Sequence, residues 1–186
     1  MKPLLTKKTT VSRLTSFWYP FDMFEYHLWA YGQGLDPLEI TEKARQGGYD
    51  IETYAQSGFC PAFNQFLKDE RLNRKDLKWQ ENVILPIGED RDIHGRLDFE
   101  TDEIVWDIKS WGYSRDKDLK RPTTTKMVPA FFQTFCYAKM RGKRFAILHL
   151  YPDGYLIYRP TQKQIETFEE MLAVSIQLIS LIPDYE

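Results

Sequence analysis

Two short segments with alternating apolar and polar residues constrain this chain more than any other feature. They are His94-Gly95-Arg96-Leu97-Asp98-Phe99 and Ile104-Val105-Trp106-Asp107-Ile108-Lys109, separated by Glu100-Thr101-Asp102-Glu103. Alternation with a period of two is the pattern of a strand whose side chains point to opposite faces. A hairpin closed symmetrically about Thr101 and Asp102 sets Phe99 against Ile104 and Asp98 against Val105. One face then carries Leu97, Phe99, Ile104, Trp106 and Ile108, a core face. The other carries Arg96, Asp98, Val105, Asp107 and Lys109. A one-residue slip would drive charges into the core, so the pattern fixes which residues share a face.

Two readings of the charged face follow. An amphipathic hairpin can expose a solvated face with cross-strand ion pairs, Arg96 lying opposite Asp107. Alternatively, two aspartates converging beside a lysine make a divalent-metal site with a charge-stabilising partner, which is the equipment of phosphodiester hydrolysis.

A length of 186 residues suits a single domain with room for a real core. Net charge is −2, so nothing global demands a polyanionic partner. The charge is unevenly spread, however. Residues 1–20 carry Lys2, Lys7, Lys8 and Arg13 with no acid, and residues 1–10 read as a flexible basic arm. Residues 111–144 carry nine Lys or Arg against Asp116 and Asp118. Such a stretch can run along phosphates or form an ordinary mixed-charge surface. Cys60 and Cys136 lack metal-ligand spacing and read as reduced thiols, Cys136 in the core. With no signal peptide or membrane-length apolar run, the expectation is a cytoplasmic protein without a membrane partner.

Helical spacing covers residues 11–31, broken at Pro20. Asp36-Pro37-Leu38-Glu39 opens a second helix reaching about Ser57, and Pro61 a third. Strands are expected at Val83–Ile87, in the 94–109 hairpin, and at Phe145–Tyr151 and Tyr155–Tyr158 around Pro152-Asp153-Gly154. A helix from about Met127 to Met140 lies between them. Thr161 and Gln164 form a capping box for a C-terminal helix within 161–186. The order predicts an α/β fold, a central mixed sheet of about five strands flanked by helices.

These motifs in this order resemble the PD-(D/E)XK nucleases of the RecB-like, lambda-exonuclease-like branch. The matching elements are Glu81 opening a strand, Gly95-x-x-Asp98, Asp107-x-Lys109 and the helical Gln133-x-x-x-Tyr137. Upstream, Val11-Ser12-Arg13-Leu14 … Tyr19-Pro20 … Phe24 and Gly48-Tyr49-Asp50-Ile51-Glu52 resemble the amino-terminal helices of that group.

The resemblance implies a restriction-endonuclease-like core forming one nuclease domain over 1–186. It also implies a deoxyribonuclease dependent on Mg²⁺ or Mn²⁺, acting from DNA ends in replication, recombination or repair. Structure-specific endonuclease action, or nucleic-acid binding without catalysis, are the alternatives. Asp98, Asp107 and the Ile108 carbonyl would ligate metal, with Glu52 completing the shell, and Lys109 would stabilise developing charge. Gln133 and Tyr137, four apart on one helix face, would contact the DNA backbone, joined by Lys117, Lys120, Arg121 and Lys126 in the basic connection. Some relatives hold an iron–sulfur cluster. Trp18-Tyr19-Pro20 lacks the early cysteine and none follows Cys136, so no cluster is expected. A stand-alone domain of this kind suits a viral or mobile-element enzyme in the host cytoplasm, or a subunit working with a protein partner or further copies of itself.

Overall fold

A computed structural model describes residues 5–19, 46, 50–110 and 124–183. The described strands are β1 (Lys8–Thr10), β2 (Lys78–Trp79), β3 (Asn82–Gly88), β4 (Arg91–Arg96), β5 (Phe99–Glu100), β6 (Ile104–Ser110), β7 (Arg144–Tyr151) and β8 (Gly154–Tyr158). The helices are α1 (Val11–Trp18), α2 (50–57), α3 (Pro61–Asp69), α4 (Thr124–Arg141) and α5 (Gln162–Ser180). No described helix is long and apolar enough to cross a membrane.

Five strands form a mixed sheet in the order β2-β5-β6-β7-β8, in which β6 and β7 run parallel and the other pairs antiparallel. The connection from β6 to β7 passes through α4, as a parallel crossover requires. Both faces of the sheet are covered. On one, Trp106, Ile108, Ala146, Leu148 and Leu150 pack under Phe63, Phe66 and Leu67 of α3. On the other, Val105, Phe145 and Ile147 pack under Phe131, Phe132 and Phe135 of α4 and Phe168 and Leu172 of α5. Helix, mixed sheet and helix make this an α/β fold with the layering of a restriction-endonuclease-like core. The C-terminal helix carries the expected capping box between Thr161 and Gln164, and Tyr151 pairs with Gly154 across the Pro152-Asp153 turn.

The 94–109 segment departs from the symmetric hairpin. Residues 91–96 pair antiparallel with β3 and parallel with β1, in a second sheet of order β1-β4-β3. Only Phe99 and Glu100 ladder with β6, opposite Trp106 and Val105. The register is thus two residues from the symmetric one, a shift that preserves the alternation of faces, and Asp98 lies just beyond the paired residues. Arg96 lies opposite Asn82 instead of Asp107. Leu97 turns into the α4 side of the core with Val105, apart from Phe99 and Trp106.

The reason is a bent ribbon. Asn82 pairs with Arg96 in one sheet and Trp79 with Phe99 in the other, in one uninterrupted antiparallel register. Between them, Leu97 N–H donates to Glu81 C=O (3.1 Å) and Gln80 N–H to Asp98 C=O (2.8 Å). Two strands therefore cross from sheet to sheet side by side, and Gln80, at φ +53°, makes the turn. The amino-terminal arm also enters the fold. Lys8–Thr10 form β1 beside β4, and Thr9 is buried with its hydroxyl donating to Thr6 C=O (2.5 Å). A threonine hydroxyl that satisfies the local backbone lets a polar segment enter the fold.

Candidate active site

Leu97 has left the β5–β6 ladder to pair with Glu81, so the next backbone donor of β6, Ile108 N–H, has no strand opposite it. The Asp98 side chain takes that place, its Oδ2 accepting from Ile108 N–H at 2.6 Å. In an extended strand a residue's N–H and C=O project toward the same neighbour, which turns the Ile108 carbonyl toward Asp98 as well. Asp107, one residue earlier, points to the face under α4. It is 3% exposed, and its Oδ2 lies 2.7 Å from Lys109 Nζ.

These three groups are electrostatically one unit. Burial, the charge of Asp107 and, more weakly, that of Glu52 push the Asp98 carboxyl up to about 8, with Lys109 and the Ile108 N–H opposing. Burial also raises Asp107, against the attraction of Lys109. For Lys109 burial disfavours the ammonium, but Asp107 and Asp98 outweigh it and leave its pKa raised. The lysine is therefore a permanent cation. The aspartates form a crowded anionic pair that favours a proton or a further cation. Asp107 is not on a solvated face, because α4 covers it, while the Lys109 side chain keeps 37% of its surface exposed.

Helix α4 places Gln133 and Tyr137 over the pair. Gln133 Nε2 donates to Tyr137 Oη at 3.1 Å, and Tyr137 is 4% exposed. Burial raises the phenol to about 12; the carboxylates of Asp107 and Asp98 act in the same sense, against Gln133 and Lys109. The hydroxyl thus stays protonated and can serve as a donor. Its ring rests on Gly95 of β4, where a Cβ would come within 2.5 Å of Tyr137 Cε1. The glycine of Gly95-x-x-Asp98 is what lets the helix approach so closely.

Glu52, on α2, accepts from Gln80 Nε2 at 3.1 Å and adds its charge to the field on Asp98. Among the described residues no three His, Cys, Asp or Glu side chains close into a metal cage. The donor set nonetheless suits a hard divalent cation. Two carboxylates meet in a buried place at an energetic cost that such an ion relieves, and a third is tethered nearby.

Lys117, Lys120 and Arg121 lie outside the described residues, and Lys126 falls in the first turn of α4. Cys136 is buried and its thiol is pushed up by burial, as befits a core residue. His149 is buried beside Tyr151, whose hydroxyl lies 3.0 Å from its Nδ1. Sequence reasoning missed Gln80. A left-handed turn is legible at Gly or Asn, but nothing in Trp79-Gln80-Glu81 announces one.

No protein-family model and no curated protein matches the chain. Among solved structures it is similar to SSO0001, at 14% identity and a TM-score of 0.49, over 94% of this chain and 77% of that one. It is also similar to a candidate exonuclease from Eubacterium rectale, at 13% identity and a TM-score of 0.46, over 74% of this chain and 66% of that one.

Proposed function

We propose that this chain is a divalent-metal-dependent deoxyribonuclease that hydrolyses phosphodiester bonds, working from DNA ends. The observation that carries the reading is the Asp98–Asp107–Lys109 cluster around the buried Asp107, with Gln133 and the buried Tyr137 beside it. Two crowded carboxylates are costly to a structural cluster, whereas a metal site makes use of them.

Asp98, Asp107 and the Ile108 carbonyl would hold Mg²⁺ or Mn²⁺, with Glu52 as the outlying ligand. When bound, such an ion polarises a phosphate oxygen and acidifies a water. The chain's own groups do the rest. Lys109, protonated throughout, neutralises charge that develops on the phosphate and holds the attacking water by a hydrogen bond. Its raised pKa makes it a poor base. Tyr137 donates to a phosphate oxygen, and Gln133 fixes the direction of that hydroxyl. The basic residues Lys117, Lys120, Arg121 and Lys126 would contribute attraction for the DNA backbone.

The test is cleavage of 5′-labelled single- and double-stranded DNA with Mg²⁺, Mn²⁺ or EDTA, for wild type, Asp107→Ala and Lys109→Ala. Both variants should lose activity by at least about a hundredfold, the scale of removing one charge-stabilising group. Wild-type rates in both would refute the site. Closed circular DNA should resist; nicking or linearisation would assign endonuclease action instead.

A further inference from the structure

Gln80 has two contacts that no simple turn residue needs. Its backbone N–H donates to Asp98 C=O at 2.8 Å, and its side-chain amide donates to Glu52 Oε2 at 3.1 Å. It does so from φ +53°, a left-handed conformation that disfavours glutamine. Strained backbone persists where surrounding structure holds it in place, and here the holding contacts run to the two ends of the candidate metal site. The residue stands at the bend of the ribbon, so it joins α2, which carries Glu52, to the strand crossing that carries Asp98.

We propose that Gln80 is a positioning residue that presents Glu52 to a divalent cation seated on Asp98 and Asp107. This rests on the nuclease reading of the site. Glu52 is the outlying carboxylate, on a separate helix, and its oxygens are not gathered with those of the aspartates. Its one described hydrogen-bond partner is Gln80. An amide that donates to one carboxylate oxygen leaves the other directed by that bond, which is how partners outside the coordination shell orient a ligand. Without the amide, Glu52 would rotate among exposed rotamers and its coordination would cost additional ordering.

The variant Gln80→Gly separates the two jobs. Glycine adopts the left-handed turn without a Cβ penalty and keeps the N–H to Asp98, while the amide is lost. Mn²⁺ binding to the whole protein is measured by titration calorimetry and by the Mn²⁺-induced rise in Tm. Gln80→Gly should bind Mn²⁺ about 10–100-fold more weakly, the usual effect of removing such a partner. Its metal-free Tm should stay at the wild-type value. In a Glu52→Gln background the same substitution should add no further loss, because the group it positions has gone.

Wild-type Mn²⁺ affinity in Gln80→Gly, with binding abolished in Asp107→Ala, would overturn the positioning role and leave the nuclease reading standing. An equal further loss in the Glu52→Gln background would overturn it too. A wild-type protein that takes up no Mn²⁺ would bring down both.

Discussion

The ring of Tyr137 occupies the space that a side chain at residue 95 would need, with Cε1 2.5 Å from the position of a Cβ on Gly95. The α4 helix and strand β4 are thus in contact through a residue that has no side chain. Gly95→Ala must displace the tyrosine, and overpacking of this kind costs about 1–3 kcal/mol. Chemical denaturation should show that loss together with reduced cleavage. In a Tyr137→Ala background the penalty should shrink, since the clashing ring is absent; full additivity would disprove the contact.

Tyr137→Phe keeps the ring and removes the hydroxyl that accepts from Gln133 at 3.1 Å. Stability should change by no more than about 1.5 kcal/mol, the net worth of one hydrogen bond. DNA cleavage should fall by about tenfold, the rate equivalent of losing one contact of roughly 1.4 kcal/mol in the transition state. An unchanged rate would return Tyr137 to a packing role.

Burial, and then the charge of Asp107, push the Asp98 carboxyl up from 3.8 to about 8. Between these pH values the unfolded chain has released a proton that the folded chain keeps. Folding stability from this group therefore falls as pH rises from about 4 to about 8, and changes no further above that. Asp98→Asn removes the effect. In EDTA its Tm advantage over wild type should widen by several degrees from pH 5 to pH 8. A constant difference across that range would contradict the raised value. Divalent cations must displace the same proton, so Mn²⁺ affinity should improve with pH up to about 8 and then level.

Glu100 is 2% exposed and lies 3.1 Å from Lys143 Nζ and 3.3 Å from Nε of Arg141, the last residue of the Tyr137 helix. Removing one member of a buried ion cluster leaves its partners uncompensated. Glu100→Ala should lose about 3–5 kcal/mol in equilibrium unfolding. The low end of that range is expected, because Arg141 keeps Glu81 at 3.4 Å.

The residues that could be read in advance are those whose periodicity speaks for itself. The alternation around Trp106 and Ile108 set Asp107 on the opposite face from them, and a two-residue error in register left that parity intact, while Asp98 reaches β6 through its side chain instead of the ladder. The Thr161–Gln164 capping box and the Pro152-Asp153 turn are local chemistry, and local chemistry is legible. What could not be read is non-local. Val105 looked like a polar-face residue because nothing in 104–109 reveals that α4 covers that side. Thr9 looked like part of a loose arm because its strand partner is Ile93, far along the chain. The bend at Gln80 depends on contacts with both Asp98 and Glu52, which no window of sequence brings together.

The shared register of the bent ribbon also sets an order of assembly. Its two strands are joined by the tight turn between Gly88 and Arg91, so Asp98 arrives with a local hairpin. Asp107 belongs to a parallel pairing in which Ile104 meets Arg144 only after the whole of α4 has been traversed. Contacts closed across long stretches of chain form late. The two aspartates approach each other through the local β5–β6 pairing, but the enclosure of Asp107 is complete only once the parallel β6–β7 pairing and α4 have closed, and a cation that needs the enclosed site binds only after that. It should slow unfolding and leave the folding rate unchanged.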